Sequence, residues 1–152
     1  MLVSVNLGGA APSDPAVQRA PASRVVLADD SDVYRRGMKR AIEADERLAL
    51  VAEATDGAEA LAAILEHQPD VALLDLQMPA LDGVEVCCRV HEDPPEHPTR
   101  FVLVSAFLSD DVIDRARACG MDHQVDKTTP RREICDLLAQ ASAAPGPAPD
   151  AA

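Results

Sequence analysis

"VALLDLQMPALDG", residues 71–83, decides how the chain folds. Its first six residues are apolar except for Asp75. Such a run is short enough for a strand and continuous enough to be buried on both faces. Met78-Pro79 and Asp82-Gly83 then mark a loop turn and the start of a helix. A carboxylate closing so apolar a strand is costly unless it is paired or metal-bound. Asp75 therefore sits at an exposed strand tip or has partners elsewhere in the chain.

Working outward, four more runs read as strands: "VVLA" (25–28), "LALVAEA" (48–54), "FVLVSA" (101–106) and "HQVD" (123–126), beside "VALLDL" (71–76). Helical patterns separate them. Tyr34, Met38, Ala41 and Ile42 recur at helical spacing. Leu61, Ile64 and Leu65 do so after Asp56-x-x-Glu59, which resembles a capping box. Val84, Cys87 and Cys88 follow Asp82, and Val112, Ile113 and Ala116 follow Ser109. The last helix has Thr129 as its expected N-cap and Pro130 at its first position, with Ile134, Leu137, Leu138 and Ala141 facing inward. Five β-α units with short, right-handed connections predict an α/β fold, a parallel sheet covered by helices on both faces.

A chain of 152 residues is one domain with room for a sizeable core. Its three aromatics are Tyr34, Phe101 and Phe107, so an aliphatic core is expected. A net charge of −12 argues against direct nucleic-acid binding, which Lys and Arg carry against phosphate; DNA binding would need another domain. Cys87, Cys88, Cys119 and Cys135 form no C-x-x-C pair and fall among apolar helix residues. They read as buried free thiols in a reducing cytoplasm, ahead of a zinc site. The four histidines lack metal-ligand spacing and are expected at helix ends and loops. No run approaches the ~20 apolar residues of a membrane span. Residues 1–23, rich in Ala, Pro and Ser, read as a disordered extension, and 144–152 as a Pro/Ala-rich tail or the start of a linker.

Asp29 and Asp30 end the first strand, Asp75 the third and Ser105 the fourth, and Lys127 follows the fifth. All five therefore lie on the carboxyl rim of one sheet, where open α/β sheets bind ligands. Two unit charges ~4 Å apart repel by ~4 kcal/mol at an effective dielectric of ~20. A hard divalent cation such as Mg²⁺ relieves that repulsion through oxygen ligands. Lys127 adds a flexible positive charge suited to a phosphoryl oxygen, and Ser105 a hydroxyl. The rim suits a phosphoryl group, with an aspartate as nucleophile.

"VVLADDS", "LLDLQMPALDG", "VLVSAF" and "VDK", in that order and spacing, resemble the receiver domain of bacterial two-component response regulators. "ADDSDVYRRGMKRAI" with "VAEATDGAEAL" looks most like the NarL/FixJ branch. The resemblance covers residues 24–143. It implies a flavodoxin-like (βα)₅ fold, a doubly wound five-stranded sheet of order 2-1-3-4-5, with Asp75 as phosphoacceptor. By the same resemblance Asp30, Asp75 and the backbone carbonyl of Gln77 would hold Mg²⁺, with Asp29 helping through water. Lys127 would contact the phosphoryl group, Ser105 would move to meet it, and Ala106 would leave it room. The implied partners are a sensor histidine kinase and a second copy on phosphorylation. DNA would be reached only through a C-terminal helix-turn-helix.

One departure stands out. Where the family usually has an aromatic or His, three positions before the lysine, this chain has Gln124, which hydrogen-bonds but cannot fill an aromatic pocket. Thr128 also replaces a common proline. Gln77 and Phe107, two residues beyond Asp75 and Ser105, are positions that by resemblance tune dephosphorylation. The "YRRGMKR" cluster fits either a kinase-docking surface or a solvated helix face with a Lys39–Glu43 pair.

Three other functions compete with this reading. An aspartate-nucleophile phosphatase would want a second acid where Gln77 stands. A flavin protein would need a phosphate cradle where Asp29, Asp30 and Asp32 stand. A phosphorylation-independent receiver-like interaction module remains the main alternative.

Overall fold

The chain alternates strand and helix five times. In the computed structural model, which describes residues 21–92 and 97–143, the strands are β1 (Ser23–Ala28), β2 (Leu48–Ala54), β3 (Val71–Asp75), β4 (Arg100–Ser105) and β5 (His123–Asp126). The helices are α1 (Asp32–Glu43), α2 (Gly57–His67), α3 (Gly83–Val90), α4 (Asp110–Ala118) and α5 (Arg131–Ala143). All strand pairs are parallel and the order is β2-β1-β3-β4-β5. The parallel strands are those expected from the β-α alternation, and their order is the flavodoxin-like one that the family resemblance implied. The order reverses between β1 and β3, and the rim beyond their ends carries Asp29, Asp30 and Asp75.

Strand alternation splits the core into two layers. Val25, Leu27, Val71, Leu73, Val102 and Val104 face Met38 and Ile42 of α1 and Ile134 and Leu138 of α5. Val26, Ala28, Ala72, Leu74, Phe101 and Leu103 face Ile64 of α2, Val84, Val86 and Val90 of α3, and Ala116 of α4. Every residue of β3 is buried, as a strand clad on both faces must be. Tyr34 and Ala41 pack beside Met38 and Ile42, completing the inner face expected for α1.

Ser31, Asp56, Asp82 and Ser109 cap the first four helices through side-chain oxygens. The boxes differ from expectation. Asp56 accepts from the Glu59 N–H, but Glu59 turns back to the N–H and hydroxyl of Thr55. The reciprocal box forms instead between Asp82 and Glu85. Helix α5 starts at Arg131, and the Pro130 carbonyl accepts from the Ile134 N–H, so the helix opens one residue later than Thr129 capping implied.

Further expectations are corrected. Lys39 makes its ion pair with Glu53 of β2 at 2.9 Å, and the expected Glu43 one turn along α1 adds a further attraction. His123 opens β5 and does not lie in a loop or at a helix end. Cys88 and Cys119 are joined as a disulfide, with Cα atoms 4.8 Å apart; only Cys87 and Cys135 are free buried thiols. Of the extension expected over 1–23, residues 1–20 lie outside the described residues, while Ser23 already pairs with Leu48 in the sheet. The tail 144–152 also lies outside them. No described helix is long and apolar enough to cross a membrane.

Candidate functional site

The site grows from the ends of β1 and β3. Asp29 follows β1 directly, held by its N–H on the Ala54 carbonyl at 3.1 Å, and is completely buried. Its Oδ1 accepts from the Ser31 N–H at 2.8 Å. Its carbonyl takes a 2.8 Å hydrogen bond from the Arg35 guanidinium, which also pairs with Asp32. The second carboxylate oxygen, Oδ2, is buried without a hydrogen bond of good geometry; the Lys127 ammonium lies 2.9 Å from it as an ion pair.

Asp75 ends β3 with 4 % exposure. Asp29, Asp30 and Asp75 each place one carboxylate oxygen within 4.8 Å of the others. Lys127 Nζ stands 3.6 Å from Asp75 Oδ1. Burial pushes the Asp75 carboxyl up to about 7, and the nearby charge of Asp29 adds to this while Lys127 opposes it. The three carboxylates together carry more negative charge than one lysine offsets. The buried Asp29 and Asp75 and the exposed Asp30 thus form one acidic cluster at the rim. That donor set fits a hard divalent cation such as Mg²⁺.

The loop after β3 is pinned from below. The Gly57 N–H donates to the Pro79 carbonyl and the Gly83 N–H to the Leu76 carbonyl, both at 3.0 Å. A Cβ on Gly83 would come within 2.5 Å of the Asp75 carbonyl, so glycine lets α3 start against the strand tip. Ala80, at φ 73°, occupies a left-handed conformation rare for a non-glycine residue. Gln77, Met78, Pro79, Asp30, Asp82 and Arg115 line an open groove of about 500 Å³ beside this loop.

Comparison with known families matches the response regulator receiver domain model over residues 25–139. The chain belongs to the receiver domain family. Among its relatives is the "Probable transcriptional regulatory protein NarL" of Mycobacterium tuberculosis, 40% identical over 111 residues, 73% of this chain and 50% of NarL. Another is the response regulator protein VraR of Staphylococcus aureus, 30% identical over 119 residues, 78% of this chain and 56% of VraR. The chain thus spans about half the length of these relatives. Among solved structures, the signal receiver domain of M. tuberculosis NarL superposes with a TM-score of 0.78 at 36% identity, covering 83% of this chain and all of that one. These relatives support the NarL/FixJ-like branch.

In this receiver domain Asp29, Asp30 and Asp75 cluster and Lys127 pairs with two of them. Ser105 is buried at the end of β4, and its hydroxyl bonds to the Phe107 main chain. Ala106 is exposed, as is Phe107 at 79 %. Gln124 is half-buried in β5, paired in register with Leu103. Gln77 is exposed beside Asp75.

Residue spacing did not single out Tyr34 or Arg35 as site residues. The Lys127 ammonium lies 4.5 Å from the centre of the Tyr34 ring, a cation–π contact that holds it between α1 and the carboxylates. The Tyr34 hydroxyl is buried without a hydrogen-bond partner, and burial pushes it up to about 12. Tyr34 is the chain's single tyrosine, five residues after Asp29 on the inner face of a helix. That placement was the available clue.

Proposed function

We propose that this receiver domain takes a phosphoryl group on Asp75 from the phosphohistidine of a sensor histidine kinase. The observation that carries the reading is the convergence of three carboxylates within 4.8 Å, with Lys127 paired to two of them. An oxygen of Asp75 attacks phosphorus, the bond from phosphorus to the donor nitrogen breaks, and the donor imidazole leaves with the electron pair. Lys127, held over Tyr34, balances charge on the phosphoryl oxygens. Asp29, Asp30, Asp75 and the Gln77 carbonyl would hold Mg²⁺, which when bound neutralises developing charge on the transferring group. The buried Asp29 Oδ2, without a hydrogen bond, supports this assignment.

The new dianion, given room by the small Ala106, then draws Ser105 towards it and shifts a two-state equilibrium read by a partner surface. Gln124 alters the packing half of that switch. If Gln124→Tyr leaves the phosphorylation-dependent change at α4 and β5 untouched, this role for Gln124 is wrong.

In the cell the domain works in the cytoplasm and its output is transcription regulation. Phosphorylation promotes a homodimer, and DNA is reached only through a helix-turn-helix, not by this domain directly. The relatives' transcriptional names and their greater length support this part of the reading. The domain assists its own phosphorylation and dephosphorylation without turning over a substrate. The test is incubation of the chain with acetyl phosphate and Mg²⁺, followed by intact mass. Wild type should gain one phosphoryl group and Asp75→Asn none. No gain by wild type, or equal gain by the variant, overturns the assignment.

A further inference from the structure

Cys88 lies in α3, and Cys119 caps the carboxyl end of α4, 31 residues away in sequence. Their Cα separation of 4.8 Å falls within the range a disulfide spans. Both residues are half-buried at the edge of the core layer, whereas Cys87 and Cys135 are buried. Cys87 sits beside the pair, its sulfur 3.2 Å from the Cys119 carbonyl and 3.6 Å from His91 Nδ1. Burial pushes the Cys87 thiol up to about 12 and the Cys135 thiol up to about 11. These two therefore stay protonated and inert near neutral pH. Exchange chemistry is left to the half-buried pair.

The pair also sits at a mechanically sensitive place. Among residues 110–118, Ala116 alone is fully buried, with Val112 partly buried against the same layer. Helix α4 begins at the Ser109 cap, four residues after Ser105, and ends at Cys119. One end thus follows the hydroxyl of the phosphoryl switch, and the other is tied to α3.

We propose that Cys88 and Cys119 form a reversible oxidation site for low-molecular-weight disulfides, and that closing it restrains α4 against α3. Resting on the phosphoacceptor reading above, the closed pair also damps the movement that phosphorylation of Asp75 drives. In the closing step a thiolate of the pair attacks one sulfur of R–S–S–R, forming a mixed disulfide and expelling RS⁻. The second cysteine loses its proton to water, attacks the protein sulfur of the mixed disulfide, and expels the second RS⁻. The protein pair gives up two electrons and the small disulfide takes them, leaving as two thiols. A disulfide that is only partly buried is open to reduction by the thiols released, so the step can run in reverse.

The experiment equilibrates the chain with oxidised or reduced glutathione, then alkylates it under denaturing conditions and measures its mass. The oxidised form should show two reactive cysteines, Cys87 and Cys135, and the reduced form all four. Amide exchange over 110–119 should be about tenfold slower in the oxidised form. The change that beryllofluoride with Mg²⁺ induces in α4 should be smaller in that form. Cys88→Ser and Cys119→Ser should each lose the redox dependence, and Cys87→Ser should keep it. Four reactive cysteines in both conditions, a disulfide that reduced glutathione fails to reopen, or α4 exchange independent of redox state would each overturn the proposal. A wild type unresponsive to beryllofluoride in either redox state removes the damping and leaves the thiol site standing.

Discussion

The hydroxyl of Ser105 and the main chain of Phe107 hold one another: Oγ accepts from the Phe107 N–H and donates to the Phe107 carbonyl, each at 3.0 Å. The hydroxyl must give up both contacts to meet a phosphoryl group on Asp75. Ser105→Ala should therefore cost about 1 kcal/mol in urea unfolding. It should also abolish the rearrangement of residues 105–109 that beryllofluoride induces, read as amide shifts by NMR. A full rearrangement in the variant would show that the hydroxyl is not the moving part.

Phe107 itself covers little, since most of its ring faces solvent. Phe107→Ala should change stability by less than about 0.5 kcal/mol. If the ring shields the acyl phosphate from water, the variant should lose its phosphoryl group faster. An unchanged decay rate of the phosphorylated form would remove that role.

The carboxylates set a pH dependence. Asp75 is raised from 3.8 to about 7. A carboxyl that binds its proton more tightly in the folded chain adds stability that is fully present below the unfolded value and is lost as pH rises through the folded one. Metal-free protein should thus lose stability from this group as pH rises from about 4 to 8. Thermal melts in chelator should show the loss, and Asp75→Asn should flatten it. Mg²⁺ added near the upper end should restore stability to wild type more than to the variant.

Tyr34 separates packing from polarity. Its ring lies under Lys127, but its hydroxyl is buried without a partner. Tyr34→Phe should be neutral or slightly stabilising, because an unsatisfied buried group is removed. Tyr34→Leu should cost about 1–2 kcal/mol and free Lys127 from its perch. The two melting temperatures, compared with wild type, decide the matter.

Asp82 caps α3 and also accepts a 2.7 Å ion pair from Arg115 of α4. Asp82→Ala should cost about 1–2 kcal/mol through the lost cap. Arg115→Ala should cost under about 1 kcal/mol, since that pair is partly exposed. A larger loss for Arg115→Ala would show that the bridge, not the cap, holds α3 and α4 together.

Much of this was legible in the residues alone. The apolar run ending at Asp75 and the polar residues after each strand tip specify the sheet and its carboxyl rim, because strand period and buried charge leave few arrangements. Partner choice was not legible. Lys39 finds Glu53, Arg35 finds the Asp29 carbonyl and Cys88 finds Cys119 only once distant elements pack. Tyr34 read as core because its spacing says nothing of the lysine more than ninety residues later. Thr55 drew Glu59 away from Asp56, a competition between two adjacent backbone donors that spacing cannot rank.

The division of the interior by strand parity has a consequence for how the molecule tolerates change. Val25, Leu27 and Leu73 share volume with α1 and α5, while Val26, Leu74 and Leu103 share it with α2 and α3. The sheet backbone is a wall between two separately filled rooms. A gap opened by Leu138→Ala cannot be refilled by enlarging Ala60, so the two layers can be rebuilt independently but cannot rescue one another.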